Sequence, residues 1–188
     1  MKNVIRADLR ISLLITFVWT IMSPYTTVLK GLLTVETISL FMVAGSISME
    51  ALAILNKNST FKTSTLHMIV YDLIYLVSII IGFIFLDDRN FILLSMVMMI
   101  PYWPLVRNSG NKFKGLMGEY YPRYFVEHVS TKISILETRI AILSMATSGI
   151  IASMYEAKYV VVIFIIASSI QSGWSIYSYR KHYHVFKK

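Results

Sequence analysis

Apolar residues follow one another along this chain in six long runs, with polar and charged residues concentrated between them. The runs cover about 11–29, 37–55, 65–86, 91–106, 133–154 and 159–178. Most of them approach the ~20 residues that an α-helix needs to cross the ~30 Å hydrocarbon core of a bilayer. The pattern therefore predicts an all-α, polytopic transmembrane helix bundle with six spans, built as a single membrane domain over residues 1–188.

The fourth run is shorter than the others and ends at Pro101-Tyr102-Trp103-Pro104. Proline lacks a backbone N–H and clashes with the preceding turn, so two prolines here predict a stop or a kink. The connection that follows, 107–132, is the one long connection in the sequence pattern. Its mixture of aromatic and basic residues favours a helix lying on the inner membrane surface, with a solvated linker as the alternative.

The composition supports a membrane protein, because 56% of the 188 residues are hydrophobic and 15% are charged, against about 45–50% and about 25% in soluble domains. The positions of the basic residues explain the net charge of +8, since Lys and Arg accumulate on the cytoplasmic side. Three of them, Lys30, Arg89 and Lys158, fall on the predicted far side, and Arg139 lies inside a span. The other fourteen of 18 are Lys2, Arg6, Arg10, Lys57, Lys62, Arg107, Lys112, Lys114, Arg123, Lys132, Arg180, Lys181, Lys187 and Lys188. We therefore expect an inner-membrane protein with both termini in the cytoplasm and no nucleic-acid partner.

Several kinds of chemistry lack the residues they need. The chain contains no cysteine, which excludes disulfides, thiolate nucleophiles and Cys-ligated metal centres. It also lacks the H-E-x-x-H, P-loop, G-x-S-x-G and dinucleotide-binding motifs, so we expect no enzymatic activity and no cofactor. His182 and His184 form an H-x-H pair, but a basic, aromatic tail lying on anionic lipid is the preferred interpretation, and no metal site is predicted.

Four ionisable residues fall inside the predicted spans: Glu50, Asp72, Glu137 and Arg139. A charge at the bilayer centre costs about 2.5–3.5 kcal/mol on insertion scales, so such residues are usually paired, hydrated or functional. At 1.5 Å per residue, all four lie within roughly 10 Å of the predicted cytoplasmic ends of their helices. Arg139 can extend back to water, whereas Glu50 tilts away from the nearer surface. Glu50 therefore most needs a partner, for which Gln171, the serines of the sixth span and Asp72 are candidates.

Small polar residues repeat at helical spacing at the same predicted depth. They are Ser168, Gln171, Ser172 and Ser175 on the sixth span, Ser12, Thr16, Thr20 and Ser23 on the first, and Glu137, Ser144 and Ser148 on the fifth. One interpretation is that they pack helices against one another, as small polar residues commonly do in membranes. The other is a cytoplasm-facing polar cavity with Glu50, Asp72, Glu137 and Gln171 in its wall. The sequence leaves both open.

The number of spans, the cytoplasmic termini and the long cytoplasmic connection resemble one half of a major facilitator superfamily transporter. The local similarity covers roughly 11–155, where Phe17-Val18-Trp19 leads into Pro24 and a short outer turn. The resemblance implies three-plus-three inverted repeats within the six helices. Because such transporters bind substrate between two halves, it also implies transport as a dimer or with a partner protein.

Two further segments bear on this resemblance. Residues 123–149 are similar to the approach to the fifth helix of that family. The family's cytoplasmic Gly-x-x-x-Asp-x-x-Gly-Arg motif, in contrast, has no counterpart in 55–64, which contains no glycine, acid or arginine. The resemblance therefore does not extend to the gating function of that motif.

Two functions are consistent with these patterns. The first is a non-enzymatic membrane protein that recognises another membrane protein through helix contacts, as immunity proteins against membrane-active toxins and exclusion proteins of mobile elements do. The second is a transporter or transporter subunit with a small-molecule or ion substrate, which the carboxylates inside the spans favour. The expected partners are membrane lipid and either another membrane protein or a second copy of this chain.

Overall fold

A computed structural model describes residues 2–29, 33–55, 57–154 and 158–183, and these residues are helical throughout apart from short connections. The α-helices are α1 (Lys2–Leu29), α2 (Val35–Leu55), α3 (Phe61–Phe85), α4 (Asp88–Tyr120), α5 (Arg123–Met154) and α6 (Lys158–Ser178). A π-helical turn, Tyr179–Tyr183, continues α6. The predicted all-α class is confirmed for the described residues. The predicted basic positions Lys30, Lys187 and Lys188 lie outside them.

Within the described residues, five helices are long and apolar enough to cross a membrane, namely α2 to α6. This supports the expectation of a multi-pass membrane protein, because each exceeds the ~20 residues that a span requires. The predicted first span, 11–29, falls within α1. Six spans, the inner membrane and the cytoplasmic termini stay predictions.

The described helices group into two compact units where the sequence predicts one domain. Unit 1 contains the described residues up to 28 and from 116 onward, and unit 2 contains those between 29 and 115. Unit 1 is therefore assembled from the first helix and the last two. Unit 2 is assembled from α2, α3 and most of α4.

Helices α1 and α5 of unit 1 run parallel to each other. The Ser12 hydroxyl donates a hydrogen bond to the Glu137 carboxylate, and about two turns further along both helices Thr20 and Ser144 share a hydrogen bond. The two contacts are separated by similar rises on each helix at 1.5 Å per residue. Hydroxyl-mediated contacts of this kind are typical of helix interfaces in lipid.

Helix α6 runs antiparallel to α1 in the same unit. The Arg10 guanidinium lies 5.4 Å from the Trp174 ring centroid. Trp19 contacts Phe164 edge to face, with ring centroids 6.2 Å apart. Between the first contact and the second, the residue number increases by nine on α1 and decreases by ten on α6, so the two helices are antiparallel. These three helices form the core of unit 1.

Helices α3 and α4 form an antiparallel hairpin in unit 2. Thr65 and Ser109 share a hydrogen bond of 3.0 Å near one end, and Tyr75 and Ser95 share one of 3.3 Å further along. All four side chains are buried. Paired hydroxyls therefore satisfy one another inside this hairpin, where an unpaired hydroxyl would be costly.

Helix α3 begins four residues before the predicted span 65–86. Thr60 occupies the cap position with an extended backbone, and its hydroxyl accepts a hydrogen bond from the Thr63 N–H at 3.2 Å. A threonine in this position satisfies one of the free N–H groups at a helix start. The apolar run therefore marks the part of α3 suited to lipid, while the cap sets where the helix starts.

The two prolines do not end α4, so of the predicted stop or kink the stop does not occur. Pro101 and Pro104 lie inside a helix that continues to Tyr120. Proline inside a helix leaves a carbonyl without its usual partner, but neighbouring helices can compensate in a membrane protein. The carbonyls that lose a donor are those of Val97 and Ile100. Tyr71 of α3 donates a hydrogen bond at 2.9 Å to the carbonyl of Met98, which lies between them. Packing against α3 therefore stabilises a helix that local propensity opposes.

The predicted surface segment 107–132 is built from the ends of two long helices. Its first part continues α4 to Tyr120 and its second part begins α5 at Arg123, with the break at Tyr121 and Pro122. A separate interfacial helix is therefore not formed. At 1.5 Å per residue, α4 and α5 are each roughly 50 Å long, more than the hydrocarbon core requires. The position of this segment at the inner membrane surface stays a prediction.

Candidate functional site

A column of hydroxyl groups runs along α1 of unit 1. The Thr16 hydroxyl donates to the Ser12 carbonyl at 3.0 Å, and the Thr20 hydroxyl donates to the Thr16 carbonyl at 2.7 Å. Residues four apart lie above one another on a helix, so the column presents one face to α5. Glu137 and Ser144 of α5 meet this face through the contacts with Ser12 and Thr20. The structure thus brings predicted polar residues of the first and fifth spans together.

Asp8 extends the same column by one turn towards the start of α1. Burial, together with the nearby Glu137 carboxylate, raises its pKa from the ordinary value of 3.8 to about 7. Burial penalises the charged form of a carboxyl group, and a second negative charge adds repulsion. Asp8 was not predicted from the sequence, because Asp8 precedes the apolar run. Its four-residue spacing from Ser12 was the signal that places it on this face.

This titration predicts that the protein loses stability as the pH rises from about 4 to about 7. A raised pKa keeps the proton on folded Asp8 while the unfolded chain releases it, so stability decreases with rising pH in that window and levels off above it. In Asp8→Asn the melting temperature in detergent should decline less across the same window. The exposed Asp88 provides the control, since Asp88→Asn should keep the wild-type slope. Identical slopes for the wild type and Asp8→Asn would contradict this assignment.

Helix α6 contributes a stripe of buried polar side chains to unit 1. The stripe consists of Ser168, Gln171, Ser172, Ser175 and Ser178, each at most 3% exposed. The Gln171 amide donates a long hydrogen bond of 3.5 Å to the Ser175 hydroxyl. Within the described residues, three side-chain oxygens of the stripe have no hydrogen-bond partner: Ser168 Oγ, Gln171 Oε1 and Ser178 Oγ.

Unsatisfied polar atoms at this density are unusual, because most buried polar groups in proteins are hydrogen-bonded to protein or water. Gln171 Oε1 is an acceptor, and Ser168 and Ser178 can each donate or accept. Together with Glu137, Ser144 and the hydroxyl column, they give unit 1 a polar interior, which we name the polar core.

The five residues predicted as one cluster occupy different environments. Glu137 and Gln171 belong to the polar core of unit 1. Arg139 is exposed on α5, as expected for a position about 200° around the helix from Glu137. Asp72 is buried on α3 of unit 2 at 4% exposure. Glu50 is exposed on α2 of unit 2, and its predicted partner stays a prediction.

The histidine and carboxylate side chains of the described residues do not gather into a metal site. No group of three or more His, Cys, Asp or Glu side chains in these residues is placed to hold a metal ion. His182 belongs to the π-helical turn, while His184, the second member of the predicted H-x-H pair, lies outside the described residues. The chemistry of the polar core is therefore that of hydroxyl, amide and carboxyl groups.

Comparisons with known proteins add no family to this description. No protein-family model, curated protein or solved structure matches the chain. The resemblance to half of a major facilitator transporter stays a prediction from the sequence.

Proposed function

We propose that this chain is a non-enzymatic multi-pass membrane protein that acts by binding another membrane protein within the bilayer, as immunity and entry-exclusion proteins do. The observation that carries the proposal is the environment of α2. This apolar helix has no buried residue between Val35 and Ile54. Its side chains are therefore available to lipid or to a protein partner.

Glu50 would be energetically unfavourable if α2 were surrounded by lipid alone. It is exposed and lies five residues before the end of the helix at Leu55, about 7 Å along the axis. Its side chain tilts towards the helix N-terminus, away from the nearer end, so it cannot easily extend to water. A charge in hydrocarbon costs about 2.5–3.5 kcal/mol on insertion scales. A partner that supplies a donor to Glu50 removes this cost, which gives the contact both affinity and specificity.

We expect Glu50→Gln to weaken partner binding at least about tenfold, the equivalent of about 1.4 kcal/mol. The substitution keeps the size and hydrogen bonding of the side chain but removes the charge that strengthens the contact. The readouts are survival of expressing cells challenged with a membrane-active toxin and the frequency of conjugative entry. Glu36→Gln, at the exposed other end of α2, is the matched control and should leave both unchanged.

Cross-linking tests the same contact directly. A photoreactive residue at Ile47 or Ile54, one turn to either side of Glu50, should capture a membrane protein. The same residue at Ile142, which is equally exposed on α5, should not. The captured protein should be lost when Glu50→Gln is combined with the photoreactive residue. Capture of lipid alone at Ile47 and Ile54, together with a normal phenotype of Glu50→Gln at normal abundance, would overturn the proposal.

The polar core favours a second candidate, a transporter or transporter subunit. A path for an ion or a small polar molecule requires accessible polar groups inside the helices, and Ser168 Oγ and Gln171 Oε1 have no partner among the described residues. Because the chain has no cysteine, Ser168→Cys gives a single thiol. If the chain is a transporter, this thiol should react with a water-soluble, membrane-impermeant reagent. If the chain acts by binding a membrane protein, the thiol at position 168 should not react. The control is Ile166→Cys on the exposed face of α6, whose thiol should not react in either case.

A further inference from the structure

Unit 1 has a groove of about 650 Å³ between α1, α5 and α6. Helix α1 contributes Leu13, Leu14 and Phe17 to its lining, and α5 contributes Ile140 and Leu143. On both helices these positions follow the three- and four-residue spacing of a single face. The volume lies within the ~300–1,000 Å³ that is usual for small-ligand sites.

The hydroxyl groups in the lining do not make the groove polar. The Ser144 hydroxyl is engaged with Thr20 and with the Ala141 carbonyl. The Thr147 hydroxyl donates to the carbonyl of the preceding helical turn at 2.8 Å. Because these groups are satisfied within the helices, the middle of the groove presents hydrocarbon to an occupant. A polar metabolite would lose its hydration there without compensation.

One end of the groove is formed by Arg10 and Trp174. The Arg10 guanidinium lies over the Trp174 ring, and in the described residues it has no ion-pair partner. The Trp174 Nε1 atom is buried and has no hydrogen-bond partner in the same part of the structure. Glu137 does not neutralise Arg10, since its contact is with Ser12, which lies about 200° around α1 from Arg10.

We propose that the groove holds one acyl chain of an anionic phospholipid, whose phosphate is bound by Arg10 beside the Trp174 ring. A guanidinium fork matches the oxygens of a phosphate and forms strong, charge-assisted hydrogen bonds with it. Basic pockets between membrane helices on the cytoplasmic side are suited to anionic headgroups. A zwitterionic lipid offers the same phosphate but adds a cation that opposes Arg10, and free phosphate leaves the apolar groove empty. The proposal rests on unit 1 and is independent of partner binding through α2.

The experiment uses the full-length protein, delipidated in detergent and titrated with phosphatidylglycerol or phosphatidylcholine, with bound lipid counted by native mass spectrometry. We expect phosphatidylglycerol to bind the wild type about tenfold more tightly than phosphatidylcholine, because the choline cation offsets the attraction between Arg10 and the phosphate that both lipids carry. Arg10→Gln should remove this preference. Arg6→Gln removes a charge from the exposed surface one turn earlier on α1 and should retain the preference.

A second pair of variants tests the groove and avoids the charged end. Leu143→Trp fills the groove from an exposed position, and we expect it to weaken phosphatidylglycerol binding severalfold. Ile142→Trp is adjacent and equally exposed but lies outside the lining, so it should bind as the wild type does. Equal affinities for the two lipids in the wild type would overturn the proposal. So would unchanged binding in Leu143→Trp, or displacement of the lipid by inorganic phosphate alone, which would indicate a site for the free ion.

Discussion

Replacing Phe164 by alanine should lower the melting temperature of the protein in detergent by roughly 6–12 °C. Phe164 is fully buried in unit 1, where its ring packs edge to face against Trp19 of α1. Removing a buried phenyl ring costs about 3–5 kcal/mol in proteins, and much of that cost is the cavity left behind. We take the lower value, about 3 kcal/mol, because lipid tails are as apolar as the side chain and helices in lipid associate largely through packing.

The control for this substitution lies on the same helix. Ile166 is 57% exposed, so Ile166→Ala creates no cavity within unit 1 and should shift the melting temperature little. Thermal unfolding followed by circular dichroism measures both variants. A small loss in Phe164→Ala, equal to that of Ile166→Ala, would show that the contact between α1 and α6 contributes little to stability.

Replacing Tyr102 by alanine should destabilise unit 2 by a similar amount, about 3 kcal/mol. Tyr102 lies between the two prolines of α4 and is fully buried. Its ring centroid is 5.9 Å from that of Tyr75 and 6.5 Å from that of Tyr71, both on α3. Because this packing maintains α4 through Pro101 and Pro104, we expect Tyr102→Ala also to reduce the helical content of the folded protein.

Two variants separate the contribution of the ring from other effects at this position. Tyr102→Phe keeps the ring packing against Tyr71 and Tyr75, so it should retain most of the stability and the helical content. Trp103→Ala removes a larger side chain that is 47% exposed, and it should leave helical content unchanged. Equal losses of helicity in Tyr102→Ala and Trp103→Ala would contradict the role of the tyrosine cluster.

Helix positions followed the apolar runs where lipid alone determines them. The predicted spans 37–55 and 159–178 agree closely with α2 and α6, because an uninterrupted apolar segment of this length has few alternatives to a helix. The end of α4 at Tyr120 was not predictable from local propensity. It depends on tyrosines of α3 that are distant in sequence from the prolines they support.

The candidate site was predictable as a set of polar faces but not as a set of contacts. The four-residue spacing on α1 and the stripe on α6 correctly indicated which residues share a face. Tertiary packing determines which helix face contacts which other face. Equal predicted depth in the membrane therefore did not reveal that Glu137 contacts Ser12. Depth also suggested a partner for Glu50 within the chain. Glu50 is exposed on α2, which supports the proposed contact with a second molecule.

The parallel pairing of α1 with α5 has a consequence for biosynthesis. Helix α1 ends at Leu29, whereas α5 begins at Arg123, so α1 is made long before its partners exist. At translation rates of about 5–20 residues per second, the ribosome needs roughly 5–20 s to complete the intervening chain. During that time the Thr16 and Thr20 hydroxyls can bond to carbonyls of their own helix, as they do in the folded protein. The nascent first helix can therefore satisfy some of its polar side chains by internal hydrogen bonds before α5 and α6 are synthesised.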